Sequence, residues 1–247
     1  SFCPNRMAQA LKTSRTNMIM MVVPDIGNSY YSKMYELVQS IAAEHSLATM
    51  LYDTTGSVEN ELTALDLAEK HWCDGLYIMS LYRSDLTRKR IASLRIPCFH
   101  NTLDHLSGGG DAFEYGTYNT TRHLIAWGHR HIVYVGGSPD TYVNLERRNG
   151  FMKAMEEAGL PYDPFEWFEM DFTIEAGYKA GRCLSAMAPR PTAVCAANDQ
   201  LAFGIMVALD ECGLRVPEDI SITGMDDVEY SRLLNPPLTT VRKDLSM

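Results

Sequence analysis

The sequence is most informative at first for what it lacks. Its 247 residues contain no apolar run long enough to cross a bilayer, which takes roughly 18 or more residues in a helix. The first apolar run, MIMMVV at 18–23, is too short for a signal peptide and follows polar text. A cytoplasmic protein with no membrane partner is the expectation. Basic residues are scarce: 22 Lys and Arg face 31 Asp and Glu, a formal charge of −9. Wide nonspecific contact with nucleic acid is thereby excluded, because backbone phosphates are held by clustered Lys and Arg. Any DNA contact must come from a small local element.

Six cysteines (Cys3, Cys73, Cys98, Cys183, Cys195, Cys212) form no CxxC pair and show no ligand-like spacing to a histidine. Several stand in apolar runs, so buried free thiols are expected. His129 and His131 flank Arg130, and a turn entering a strand accounts for them without a metal. Enzyme signatures are missing too. There is no GxGxxG between a strand and a helix, no Walker loop, no GxSxG elbow and no HExxH. Gly136 and Gly137 lack the third glycine of a dinucleotide loop and read as a tight exit from a strand. No catalytic residue and no cofactor are therefore assigned.

What is present is alternation. Short β-rich runs recur at MIMMVVP (18–24), LATMLYD (47–53), GLYIMS (75–80), IPCFHN (96–101), HIVYVGG (131–137), FEWFEMD (165–171), TAVCAAND (192–199) and DISITGMDD (219–227), with helix-period text between nearly all of them. That pattern predicts βαβ units and parallel sheet. Met34, Leu37, Val38 and Ile41 fall at the spacing of one buried helical stripe, as do Leu201, Ile205, Ala208 and Leu209. GLPYDP (159–164) and APRP (188–191) punctuate the second half, and SGGGD (107–111) reads as a flexible loop. About four strand–helix units precede His129 and about four follow. An α/β chain of two similar lobes, each a parallel sheet flanked by helices, meeting near Gly128, is predicted.

Several strands end in polar clusters, where open α/β sheets hold their ligands, and a cleft between the lobes is the natural place. Asn198 or Asp199 would cap the helix that follows or meet a ligand. Asp226 and Asp227 read as loop solvation or as acceptors, Arg147 as a solvated helix residue or a donor fork, and Phe172 as core or a stacking face. Together they are equipment for a small polyhydroxylated or heterocyclic ligand. At the other end, PNRMAQAL (4–11) reads as a lone short helix ahead of a polar linker. So short a helix must dock on its own protein or on a partner.

PTAVCAANDQ (191–200), GLRVPEDISITGMDD (213–227) and PPLTTV (236–241) closely resemble the LacI/GalR family of bacterial transcription regulators. The likeness extends through RRNGFMKAMEEAG (147–159), HLIAWGHRHI (123–132), VPDIGNSYY (23–31) and the opening PNRMAQAL, so it covers nearly the whole chain. The resemblance implies a periplasmic-binding-protein-like (type I) core: residues 1–15 as hinge helix and linker, 16–128 with 242–247 as N-terminal lobe, and 129–241 as C-terminal lobe. It implies a hinge that folds in pairs in the operator minor groove, with Leu11 wedged into a base step and Met7, Ala8 and Asn5 beside it. It further implies a helix-turn-helix head ahead of the hinge and a homodimer. Effector contacts carried over are Arg147, Asn198, Asp226 and Phe172, with Tyr30, Tyr31 and Asp111 from the first lobe. Where the family often ends its fourth strand with Asp-Arg, this chain has IPCFHN followed by Thr102 and Leu103. The leading expectation is a repressor core responding to a carbohydrate-like effector. A transporter's solute-binding protein is the alternative, disfavoured by the hinge motif and free thiols.

Overall fold

The computed structural model describes residues 15–103 and 109–242, the side chains of 109–112 and of Phe165 excepted. Asn5, Met7, Ala8 and Leu11, the residues of the expected hinge, lie outside the described residues, as do Cys3 and residues 243–247. The chain divides into two compact units, one through Ser107 and one from Gly108.

In the first unit the strands are β1 (Met18–Val23), β2 (Ala48–Asp53), β3 (Gly75–Ile78) and β4 (Cys98–His100), joined through helices α1 (Ser29–Glu44), α2 (Val58–Glu69) and α3 (Asp85–Ser93). All pair in parallel in the order β2-β1-β3-β4, with Met20 opposite Met50 on one side and Leu76 on the other. Each helix starts on a side-chain cap: Asn28, Ser57 and Ser84 accept from the amides of Tyr30, Asn60 and Thr87. Such caps satisfy amides that the first turn leaves unpaired. Met20, Val22, Leu65, Leu76 and Ile78 form the centre of the core.

The second unit opens with α4 (Gly109–Ala126) and continues β5 (Ile132–Gly136), α5 (Tyr142–Glu157), β6 (Phe168–Glu169), α6 (Ile174–Ala186), β7 (Ala193–Ala196), α7 (Asp199–Glu211), β8 (Ser221–Asp226) and β9 (Thr239–Arg242). Its sheet is parallel throughout, in the order β6-β5-β7-β8-β9. The strand order reverses between β5 and β7, and the carboxyl ends of strands at such a switch point are where open α/β sheets hold their ligands. β5 and β7 are buried along their whole length, as near-continuous apolar text predicts for a central parallel strand. The fold class read from sequence is the one observed.

Four details differ from the reading above. The helix over 109–126 belongs to the second unit, where it packs on α5, so the division falls some twenty residues ahead of Gly128. Gly109, Gly110 and Asp111 are the first turn of that helix, not a loop. FEWFEMD gives a 3₁₀ turn at Pro164–Glu166 and only two strand residues, because Trp167 turns its ring onto Tyr134, Phe151 and Tyr162. Ile41 is 58% exposed, although Leu201, Ile205, Ala208 and Leu209 are all fully buried. Of the thiols, Cys73 and Cys195 are buried and Cys183 is exposed. No described helix is long and apolar enough to cross a membrane.

Candidate functional site

In the second unit the sequence-predicted residues converge on the carboxyl ends of the strands. Thr141 caps α5 by accepting from the Asn144 amide, which sets Asn144 and Arg147 three residues apart on one helical face. Arg147 is 4% exposed. Its guanidinium donates to Asp226 Oδ1 at 3.3 Å and lies over two rings, 5.2 Å from the centre of Phe172 and 5.6 Å from that of Phe113. Nε of Arg147 has no acceptor among the described residues. A buried ion pair with an unspent donor is costly to hold, since the pair's attraction must offset its own desolvation. Among the described residues, one hydrogen bond, to Asp226, joins the guanidinium to the protein.

Asp226 ends β8 in a backbone conformation that L-residues seldom adopt, φ 120°, and Asp227 follows at φ 50°. Such backbone clusters at functional sites, where the surroundings hold it in place. Phe172 reaches Arg147 because Gly137 leaves room: a Cβ there would collide with the Phe172 ring. Asn198 is buried and caps α7, its Oδ1 accepting from the Leu201 amide at 2.9 Å, while its Nδ2 donates to the Phe172 carbonyl at 3.4 Å. It thus fixes Phe172 as well as the helix. The side chain of Asp111 lies outside the described residues.

Sequence reading missed two participants, Phe113 and Asn144, and gave Asp199 only as a helix cap or a ligand contact. Phe113 supplies the second ring. Asn144, fully buried, accepts from the Tyr134 hydroxyl and the Gly137 amide, both at 2.9 Å, and donates to Glu169 at 2.8 Å, so it pins the exit of β5. Asp199 binds the turn after Asp226. The signal for Asn144 was its spacing of three from Arg147; nothing in the pattern marked Phe113.

In the first unit, Tyr30 and Tyr31 stand in the first turn of α1, their rings edge to face at 5.2 Å. Tyr77 and Phe99 stack 5.2 Å apart at the neighbouring strand ends. Asn101 stands just beyond the end of β4 and fastens the exit of β3, its Oδ1 accepting from the Ser80 amide at 2.7 Å and its Nδ2 donating to the Ser80 carbonyl. Beneath them the buried Glu61 accepts from the Ser80 hydroxyl, with His100 Nε2 3.9 Å away. No group of three or more His, Cys, Asp or Glu among the described residues is placed to hold a metal.

A family model described as a periplasmic binding protein-like domain matches residues 121–246. The HTH-type transcriptional repressor PurR of Aliivibrio salmonicida (strain LFI1238) is 32% identical over 251 residues, 98% of this chain and 74% of that protein. The chain belongs to the LacI/GalR family of transcriptional regulators. PurR of Haemophilus influenzae (strain PittEE) is 34% identical, with 98% and 74% covered. Among solved LacI/GalR structures, the lac repressor dimer bound to operator and the anti-inducer ONPF is 27% identical, with a TM-score of 0.85 over 99% of this chain and 86% of that one. The regulator CelR in complex with cellobiose is 25% identical, with a TM-score of 0.80 over 96% and 77%. As a LacI/GalR repressor the chain regulates transcription and is not an enzyme.

Proposed function

We propose that Arg147, Asp226 and Phe172, with Asn198 behind them and Asp111 at the start of α4, form the effector-recognising face of the second unit, and that Tyr30 and Tyr31 serve the first; Asp111, expected from the first lobe, belongs to the second unit. The observation carrying this reading is the buried guanidinium of Arg147, stacked on two rings, bonded once to Asp226 and holding Nε in reserve. A ligand offering an oxygen acceptor would use that donor, and one with an apolar face would meet Phe172 and Phe113. A sugar or sugar derivative has both. CelR is seen in complex with cellobiose, and a LacI family regulator from Enterococcus faecium, 26% identical, with bound ribose.

The repressor would work in the cytoplasm as a homodimer on operator DNA, through a helix-turn-helix head and a hinge whose Leu11, Ala8, Met7 and Asn5 meet the minor groove. Effector binding would change operator affinity only through its differential affinity for two arrangements of the protein, typically about 1 to 3 kcal/mol of coupling.

The test is a thermal-shift panel of sugars and nucleobases followed by calorimetry on Arg147→Ala and Asp226→Ala, alongside operator binding by the same variants without ligand. Truncating a charged partner costs roughly 1.5 to 3 kcal/mol, or about ten- to a hundredfold in Kd. Operator affinity should be unchanged. Folded variants that keep wild-type ligand affinity would overturn the assignment. Leu11→Ala should do the reverse, weakening operator binding while leaving ligand affinity alone.

A further inference from the structure

Asp199 begins α7 and is fully buried. Its Oδ2 accepts from the Val228 amide at 3.0 Å and the Ser231 hydroxyl at 2.6 Å, and its Oδ1 from the Thr240 hydroxyl at 2.6 Å. Thr240 in turn accepts from the Asp227 amide at 3.3 Å. Both amides that directly follow Asp226 are therefore tied to this one carboxylate, Val228 by a single bond and Asp227 through the Thr240 hydroxyl. Room for the carboxylate exists because residue 224 is glycine: a Cβ there would collide with Asp199 Oδ1. A carboxylate can accept all three donors, whereas an amide has one oxygen and would turn its NH2 group toward at least one of them.

We propose that Asp199 is a positioning residue of the effector site: its carboxylate holds the turn after Asp226 in its left-handed backbone and so aims Asp226 at Arg147. The inference rests on the effector reading of that pair. A cap alone would not require this knot, since Asn198 already caps the helix. Burial pushes the Asp199 carboxyl above its ordinary range and the Asp226 charge adds to this, while the bonds from Ser231, Thr240 and Val228 pull it back. Those donors are what keep a charge tolerable there.

The test needs no ligand. In the full chain, NMR would follow two reporters, the Val228 amide and the Nε–H of Arg147, in wild type and in Asp199→Asn, with the Val194 and Ile222 amides as markers of the intact sheet. The expected result is Val228 exchange accelerated about tenfold or more and a displaced, broadened Arg147 Nε–H signal, with the sheet markers unmoved. An Arg147 signal identical to wild type, with Val228 exchange faster or not, overturns the proposal. Should Asp199→Asn fail to fold, Ser231→Ala and Thr240→Val each remove one donor; both must shift the Arg147 signal in the same direction, and silence in both overturns it. Failure of the effector reading would show elsewhere, as ligand affinity indifferent to Arg147→Ala, so the two failures are distinguishable.

Discussion

A side chain's chemistry is set by what surrounds it, and Tyr77 illustrates this outside the second unit's site. Burial is the main cause that pushes its hydroxyl up to about 12, with Tyr30 adding to it. The unfolded chain would ionise near 10. The fold thus favours the neutral phenol, so Tyr77 contributes stability that is complete below about pH 10 and is lost as pH rises toward 12. Tyr77→Phe should flatten that alkaline decline, measured as urea-unfolding midpoints between pH 9 and 12. An unchanged slope would show that Tyr77 is hydrated in solution. Arg147, Asp226 and Phe172 were legible one by one from polar or aromatic text at element ends. That they meet was not, because residues 147, 172 and 226 come together only through sheet order. Asn198 was legible in both of its readings, and the helix cap is the one that the structure displays. Phe113 was invisible because it sits on a helix whose glycine-rich start reads as loop.

At the scale of elements, the eight β-rich runs each contain a strand, and the alternation with helices was readable because fully buried parallel strands are written as short apolar blocks. β9 was not read as a strand: PPLTTV begins with two prolines, and only Thr239–Arg242 pairs with β8. Helix contacts were likewise hidden, since they depend on residues without side chains. Gly150 of α5 lies so close to α4 that a Cβ would collide with the Glu114 carbonyl. Glycine to alanine in an open helix gains about 1 kcal/mol. Here the sign should reverse, because backbone cannot move aside as a side chain can, and overpacking costs about 1 to 3 kcal/mol. Gly150→Ala should therefore lower the denaturation midpoint. A rise in that midpoint would mean that α4 and α5 separate easily.

For the whole molecule, the acidic charge and the exposed apolar residues point to different partners. A net −9 disfavours DNA contact by the core, so operator affinity should fall to weak, nonspecific levels when the chain lacks a head, as gel shift would show. Around α7 the second unit exposes Ile174, Val207, Tyr230 and Leu233, the last two at 60% and 68%. The Ile174 carbonyl abuts Gly204 of α7, and Ser231, beside Tyr230, is bonded to Asp199 at the start of the same helix. Exposed large apolar side chains are candidates for association. Val207→Glu combined with Leu233→Glu should convert a dimer to monomer in analytical ultracentrifugation at micromolar concentration, with the circular dichroism unchanged. A variant that still sediments as a dimer would place the interface elsewhere.

The knot at Asp199 also has a consequence for biosynthesis. Thr240 follows Asp199 by 41 residues. During translation α7 leaves the ribosome well before the strand that completes its carboxylate's bonds, and at roughly 5 to 20 residues per second the interval lasts several seconds. Throughout it Asp199 must stay hydrated, and the start of α7 cannot settle against β8. Held clear of the exit tunnel by a C-terminal linker, a stalled chain ending at Leu238 should therefore leave the start of α7 open to proteases, and one ending just after β9 should close it. The second unit would thus acquire its ligand-reading geometry only once β9 has emerged, well after α7 itself.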